Sequence, residues 1–271
     1  MPELPEVETT RRGLAPFVVN QKIAAAIVRN RALRVPVPRA LPAQLAGETI
    51  VGLGRRGKYL LFTCGRGTLI LHLGMSGRLW IVARDIPPAP HDHFDLVLAN
   101  GTVVRLRDPR RFGLVTWSRD DPLRHALLAA IGPEPLESAF NAQWLHRVTR
   151  NRSAAIKQVL MDGHVVAGVG NIYASEALFR AGIHPRQPAH RIGMARYGIL
   201  VEKVRETLEL AIAAGGSSLR DYVGSDGMAG SYQSQFLVYD REGEACYRCA
   251  APIRAIRQGQ RSTFYCPRCQ R

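Results

Sequence analysis

The chain has 271 residues, 46% of them hydrophobic and 22% charged, which excludes a disordered polymer and suffices for one large core or two moderate ones. No apolar run approaches the roughly 18 residues that a bilayer-spanning helix needs. Against 22 Asp and Glu stand 37 Lys and Arg, a formal charge of +15 that draws polyanions by steering and counterion release.

Nucleic acid is therefore the expected partner. A membrane surface would call for one basic block or a basic amphipathic helix, whereas the arginines here are scattered in pairs such as Arg11-Arg12, Arg55-Arg56 and Arg110-Arg111. The opening is acidic and proline-rich rather than basic then apolar, so no secretory signal is expected and the cytoplasm is the expected compartment.

In chain order, Pro5 to Val19 reads as a helix, with Val7, Leu14 and Val18 at helical spacing. Short apolar or alternating runs follow at Lys22–Arg29, Thr49–Leu53, Lys58–Cys64, Thr68–Leu73 and Arg78–Ala83, punctuated by glycines. Asp95–Ala99 and Thr102–Arg107 flank Asn100-Gly101, a strong hairpin signal. Strands at this spacing predict a sandwich or barrel. Gly132-Pro133-Glu134-Pro135 reads as an interdomain linker. Beyond it the pattern predicts helices over Asn141–Thr149, Ser153–Met161, Asn171–Ala181 and Met194–Ala214, the third capped by Asn171 and ended by Gly182. Residues 215–232 are rich in Gly and Ser and read as a loop.

Near the C-terminus, Cys246/Cys249 and Cys266/Cys269 form two C-x-x-C pairs around a predicted hairpin. Two thiolate pairs on tight turns supply a sulfur tetrahedron suited to one structural Zn²⁺. Two disulfides are the alternative, which a reducing compartment disfavours. Few apolar residues lie in this unit, so the metal is expected to supply its folding energy. Arg248, Arg254, Arg257, Arg261 and Arg268 sit on it, as a nucleic-acid contact requires or as solvated surface residues. Cys64 reads as a small core residue, and Trp80, Trp117 and Trp144 as core or interdomain packing.

Pro2-Glu3-Leu4-Pro5-Glu6 admits two readings. One is a plain helix start, with acids at the positive end of the dipole. The other follows if Met1 is removed. Pro2 then carries a secondary amine of a class that titrates near about 8, partly unprotonated at neutral pH, and its attack on a sugar carbon ends in a charged iminium. Glu3 and Glu6 beside it could do acid–base work.

Several runs then fall in one order: Pro2-Glu3-Leu4-Pro5-Glu6-Val7-Glu8-Thr9, Gly57-Lys58-Tyr59-Leu60, His72-Leu73-Gly74-Met75-Ser76-Gly77, His91-Asp92-His93 and Asp108-Pro109-Arg110-Arg111-Phe112-Gly113. Gly168-Val169-Gly170-Asn171-Ile172-Tyr173-Ala174 and Arg261-Ser262-Thr263-Phe264-Tyr265-Cys266 complete the series. With these the chain resembles, over essentially its whole length, the bacterial formamidopyrimidine-DNA glycosylase (Fpg/MutM) family.

The resemblance implies an α+β multidomain fold. Residues 1–131 would be an N-terminal catalytic β-sandwich or barrel flanked by helices, and 132–137 a linker. Residues 138–232 would be a helical helix-two-turn-helix DNA-binding domain with a lesion loop at 217–232, and 235–271 a zinc-ribbon hairpin. It implies a bifunctional glycosylase and abasic-site lyase that excises 8-oxoguanine and formamidopyrimidines from double-stranded DNA. Pro2 would form the Schiff base, Glu3 would donate a proton to the departing base, Lys58 would assist β-elimination and Arg261 δ-elimination. Met75, Arg110 and Phe112 resemble the trio inserted where the damaged base was, an apolar wedge plus a guanidinium facing the orphaned base. His72, His91, Arg152, Asn171 and Arg261 resemble the backbone contacts. Within the loop, Ser225, Asp226 and Tyr232 correspond to the lesion-capping region.

Other readings stay open at single positions: Met75 as core, Lys58 as an edge-strand lysine, His91 and His93 as a metal pair. A sister glycosylase for oxidised pyrimidines shares the nucleophile, and a non-catalytic zinc-ribbon nucleic-acid-binding protein would share the charge and the cysteines. The charge surplus favours a monomer.

Overall fold

The structure, a computed structural model, describes residues 2–217 and 230–271. The chain divides into two compact units, one of Met1–Ala130 with Ala214–Ser231, the other of Ile131–Ala213 with Tyr232–Arg271.

The first unit opens with helix α1 (Leu4–Val18). Its predicted stripe, Val7, Leu14 and Val18, is wholly buried, each side chain contributing about 1.5–3 kcal/mol by leaving water. Strand β1 (Ile23–Val28), the short helix α2 (Leu41–Leu45) and strands β2 (Ile50–Arg56), β3 (Tyr59–Cys64), β4 (Gly67–His72) and β5 (Arg78–Ala83) follow. Then come β6 (Asp92–Leu98), β7 (Thr102–Arg107) and β8 (Leu114–Ser118). They form two antiparallel sheets, ordered β1-β6-β7-β5 and β2-β3-β4-β8. Their inward residues, among them Ile23, Phe94, Leu106, Phe62, Leu71 and Val115, share one core with α1, so the unit is a β-sandwich. The Asn100-Gly101 signal marks a real turn: Asn100 Oδ1 accepts from the Thr102 N–H at 3.0 Å, and Gly101 has φ +88°.

Trp80 departs from its expected packing role. It lies on β5 with the guanidiniums of Arg78 and Arg107 over its ring at 4.5 and 5.4 Å, a cation–π site rather than core.

Where α1 meets β2 an ion cluster forms. Glu8 accepts from Arg11, Arg12 and Arg55 at 2.8–3.2 Å. Burial alone would raise its pKa, but the hydrogen bonds from Arg11 and Arg12 and the charges of Arg11 and Arg55 outweigh it and hold the carboxyl at about 2. A depressed folded-state pKa stabilises the fold above the ordinary carboxylate range and loses that contribution as pH falls towards the depressed value. Glu8→Gln is therefore expected to cost about 2–3 kcal/mol at neutral pH and progressively less below pH ~4, measured by urea unfolding across pH.

The second unit carries helices α3 (Ala142–Thr149), α4 (Ile156–Leu160), α5 (Asn171–Arg180) and α6 (Met194–Ala213), then the hairpin β9 (Arg254–Gln258) and β10 (Arg261–Tyr265). Asn141 caps α3, its Oδ1 accepting from the Trp144 N–H at 2.8 Å. Helix α4 is shorter than its sequence pattern, because Ala155 is drawn into a bridge with Pro188 and takes an extended backbone. Asn171 is not the cap of α5; Gly170 holds that position and Asn171 is the first helical residue. The buried Glu176 of α5 accepts three backbone N–H groups, from Leu237, Val238 and Tyr239, which moors the segment entering the cysteine hairpin. That hairpin shares a small core with Phe179 of α5, through Val238, Ile253 and Phe264. Among the described residues, no helix is long and apolar enough to cross a membrane.

Candidate active site and metal centre

In the first unit, Pro2 is buried just ahead of α1, and Glu3 forms the N-cap, 1% exposed. Glu6 has a structural occupation. Its Oε2 accepts from the Glu3 N–H at 2.8 Å, while its Oε1 accepts from the Ser217 N–H at 2.8 Å and from the Ser217 hydroxyl at 3.1 Å. Gly216, at φ +82°, is pressed against the same side chain, and a Cβ there would lie 3.0 Å from Glu6 Oε1. Three donors on one carboxylate make Glu6 an anchor, and the Glu3 side chain completes the reciprocal capping box on the Glu6 backbone.

Lys58 lies in the two-residue turn between β2 and β3, where Gly57 takes the left-handed φ of +55° that such a turn demands. It is half-buried, not an edge-strand lysine. At the end of β4, His72 packs against Tyr59 with the rings tilted by 56° and their centroids 4.7 Å apart, and its Nδ1 accepts from the Gly74 N–H at 2.9 Å. Burial drives its pKa down to about 3, with the charges of Arg34 and Lys58 acting the same way. His72 is thus a neutral imidazole whose Nε2–H is the available donor.

Arg110 and Phe112 stack, and the turn bearing Met75 meets their loop at Gly74, where a Cβ would lie 2.4 Å from the Phe112 carbonyl carbon. The turn after β4 carries Met75, and the loop after β7 carries the other two, with Arg110 exposed and its guanidinium 4.8 Å from the Phe112 ring. Met75 is half-buried and Phe112 is 42% exposed, unlike core residues. His91 is exposed nearby in sequence, with φ +71°. His93 is instead buried with its Nε2 on the Asp108 carbonyl at 2.9 Å, and Asp92 is engaged by Arg107, so these residues do not form a metal pair.

In the second unit, Asn171 Nδ2 donates to the Ser262 carbonyl at 3.1 Å, and its buried Oδ1 has no hydrogen-bond partner among the described residues. A cavity of about 210 Å³ is lined by Asn171, Lys157, Gln258, Gly259 and Arg261. Lys157, 1% exposed, donates to Thr263 Oγ1 at 2.8 Å and to the Ser262 carbonyl at 3.2 Å, fixing the strand that begins at the exposed Arg261. Sequence reasoning passes over Lys157, since a lysine in an amphipathic helix reads as solvated; its burial depends on Thr263, far along the chain. Arg152 pairs with Asp162 at 2.8 Å. Within the loop, Ser225 and Asp226 lie outside the described residues. Tyr232 is fully buried beside Tyr173, ring centroids 5.7 Å apart.

The four cysteines converge, their sulfurs all within 4.8 Å of one another. Cys249 and Cys266 stand 3.4 Å apart, Cys246 and Cys269 3.9 Å. A disulfide needs about 2.05 Å, whereas the sulfurs of a zinc tetrahedron with Zn–S bonds of about 2.3 Å lie about 3.8 Å apart. The N–H groups of Arg248 and Cys269 point at Cys246 Sγ and Cys266 Sγ, both at 3.4 Å, as thiolate ligands require. These dimensions fit zinc. No other group of three or more metal-binding side chains occurs among the described residues.

A model of the formamidopyrimidine-DNA glycosylase N-terminal domain matches residues 1–115, one of the formamidopyrimidine-DNA glycosylase H2TH domain matches 131–223, and one of the zinc finger found in FPG and IleRS matches 243–271. The chain belongs to the formamidopyrimidine-DNA glycosylase family. It is 58% identical to the formamidopyrimidine-DNA glycosylase of Aromatoleum aromaticum, with 100% of both chains covered. The MutM (Fpg) protein of Thermus thermophilus superposes with a TM-score of 0.89 at 40% identity, covering 99% of this chain and 98% of that one. The Lactococcus lactis Fpg in complex with Fapy-dG-containing DNA gives 0.91 at 36% identity, covering 99% and 100%. The family's zinc finger coincides with the cysteine quartet, so the metal is a structural zinc.

Proposed function

We propose that this formamidopyrimidine-DNA glycosylase family member binds duplex DNA and excises oxidised purines, 8-oxoguanine and formamidopyrimidines, by covalent catalysis from the Pro2 nitrogen. The observation that carries this reading is the buried Pro2-Glu3 pair at the head of α1, in a chain that matches the family from end to end. Once Met1 is removed, the freed secondary amine attacks C1′ of the damaged nucleotide. The C1′–N bond breaks, and the base leaves with a proton delivered by Glu3. The C1′–O4′ ring bond then breaks, O4′ taking up a proton, and leaves an open-chain iminium between C1′ and Pro2. That iminium acidifies C2′–H, whose proton leaves as the 3′ C–O bond breaks, a step Lys58 assists. A second elimination, assisted by Arg261, expels the 5′ phosphate, and water releases the sugar remnant from Pro2. The product is a one-nucleotide gap with phosphate on both sides.

Met75 and Phe112 fill the vacated stack, and Arg110 faces the orphaned cytosine, whose acceptors suit a guanidinium. Phosphates are held by His72 through its neutral N–H, by His91, Arg152 and Arg261, and by Asn171 at the N-terminus of α5. The zinc ribbon supplies basic contacts. The protein acts as a monomer in the cytoplasm.

The test is an end-labelled 8-oxoguanine:cytosine duplex, with borohydride added to a parallel sample. Strand cleavage and a trapped adduct are expected; faster release of thymine glycol would favour the oxidised-pyrimidine enzyme, and absence of an adduct a pure binder. Affinity is expected to fall steeply with salt, with a slope of about −0.9 per neutralised phosphate in a log–log plot from fluorescence anisotropy. A flat response would contradict phosphate binding by the surplus arginines.

A further inference from the structure

Asp108, at the end of β7, is fully buried, and every polar atom it has is engaged. Its Oδ1 accepts from the Ser76 hydroxyl at 2.7 Å and its Oδ2 from the Gly113 N–H at 2.6 Å. Its carbonyl accepts from His93 Nε2 at 2.9 Å and from the Arg111 N–H at 3.1 Å, and its own N–H donates to the His91 carbonyl at 3.0 Å. The Ser76 oxygen in turn accepts from the Arg110 N–H at 3.2 Å.

These bonds join two segments with no strand ladder between them: the turn bearing Met75 and the loop bearing Arg110 and Phe112. The fit between them is close. Gly74 sits at φ +65° against the loop, and a Cβ there would lie 2.4 Å from the carbonyl carbon of Phe112. Arg111 is held at φ +58°, a conformation costly for a residue with a side chain, and the Asp108 carbonyl is what its N–H bonds. The bend turns Arg110 and Phe112 to the same side, where they stack.

We propose that Asp108, relayed through Ser76, is a positioning residue that fixes Arg110 relative to Met75 and Phe112 and thereby sets the preference for the base opposite the lesion. The inference rests on the reading given above, that this trio occupies the vacated stack. Asp108 and Ser76 are both buried, and they act by holding the Arg110 backbone, so a shift of a few tenths of an ångström reaches the guanidinium through its own main chain.

The experiment compares excision of 8-oxoguanine opposite cytosine and opposite adenine for wild type, Ser76→Ala and Ser76→Thr, with cleavage of abasic DNA as a control for the Pro2 chemistry. Ser76→Ala leaves the Arg110 N–H and Asp108 Oδ1 without their shared partner. It is expected to lower the cytosine-to-adenine ratio about 5- to 10-fold, the worth of one such hydrogen bond, while abasic cleavage stays within about twofold. Ser76→Thr, which keeps the hydroxyl, restores the ratio. In an Arg110→Ala background, Ser76→Ala should shift the ratio no further. Should Ser76→Ala fail to fold, the near-isosteric Ser76→Cys, a weak donor, carries the comparison.

Equal losses opposite both bases, or a ratio unmoved in a folded variant, would overturn the inference and leave the proposed function standing. A wild-type protein inactive on 8-oxoguanine would overturn that function, and this inference with it.

Discussion

Replacing Pro2 with glycine is expected to lower the yield of borohydride-trapped protein–DNA adduct by about 100-fold or more, with duplex affinity changing less than about threefold. Glycine is also small enough for Met1 to be removed, so the variant keeps a free terminal amine. What it loses is the secondary amine, and with it an iminium that stays charged at any pH; a primary amine gives an imine that must first be protonated to draw electrons from C2′. It also loses the ring that fixes the approach to α1, whose first turn is held by Glu6 on the Glu3 N–H. Affinity should be spared, because the charge that binds phosphate is spread over arginines elsewhere in the chain. Trapping yield and anisotropy titration on abasic DNA check both halves. An undiminished adduct would point to a lysine nucleophile. Glu3→Gln divides the same chemistry differently: excision of the base should fall, while trapping on a preformed abasic site persists.

The parts legible in the sequence are those that local pattern dictates. Short apolar or alternating runs between turn residues mark the seven strands from β1 to β7, whether one face or, as in β6, both are buried, and the two C-x-x-C pairs mark the metal site, because ligand spacing along two turns is a local property. Strand β8 escapes that pattern: it is five residues long and follows the Phe112-Gly113 bend with no turn signal after it until Asp120. Helix α2 escapes for the same reason, at five residues with a proline inside. The expected Asn171 cap fails because residue type alone favours it, whereas a donor–acceptor pair with the Ser262 carbonyl, 91 residues away, claims its amide. Asp108 and Ser76 pair across 32 residues, and Glu6 reaches Ser217 across 211. No window of sequence displays such pairs, so positioning residues stay hidden even when the exposed side chains they aim are plain. The resemblance could supply roles for Pro2, Lys58 and Arg110, but not the bonds that hold their neighbourhoods in place.

Removing zinc is expected to have the broadest effect of any single change. The ribbon's apolar core is small, with Phe179, Val238, Ile253 and Phe264 chief among its members, and cannot by itself offset the entropy of ordering a hairpin and two knuckles. Binding of a structural zinc supplies about 10–16 kcal/mol in comparable peptides, as much as the whole stability of an ordinary domain at about 5–15 kcal/mol. Chelation, or Cys266→Ser, should therefore melt the hairpin. Arg261 then loses the strand that Lys157 and Asn171 clamp at Ser262 and Thr263, and the exposed Arg254, Arg257 and Arg268 lose the folded unit that holds them. Duplex affinity should fall by more than about tenfold, and the log–log salt slope should become shallower by about 0.9 for each phosphate no longer neutralised. The β-sandwich should keep its own unfolding transition, because its core contains none of these residues. Cys64→Ser separates zinc loss from general thiol damage: that thiol is buried in the sandwich, its pKa pushed up to about 12 by burial and by the charge of Glu48, and the variant should retain both metal and affinity. If the chelated protein bound DNA as tightly and with the same salt slope, the ribbon would have no part in holding phosphate, and Arg261 would have to be struck from the elimination chemistry.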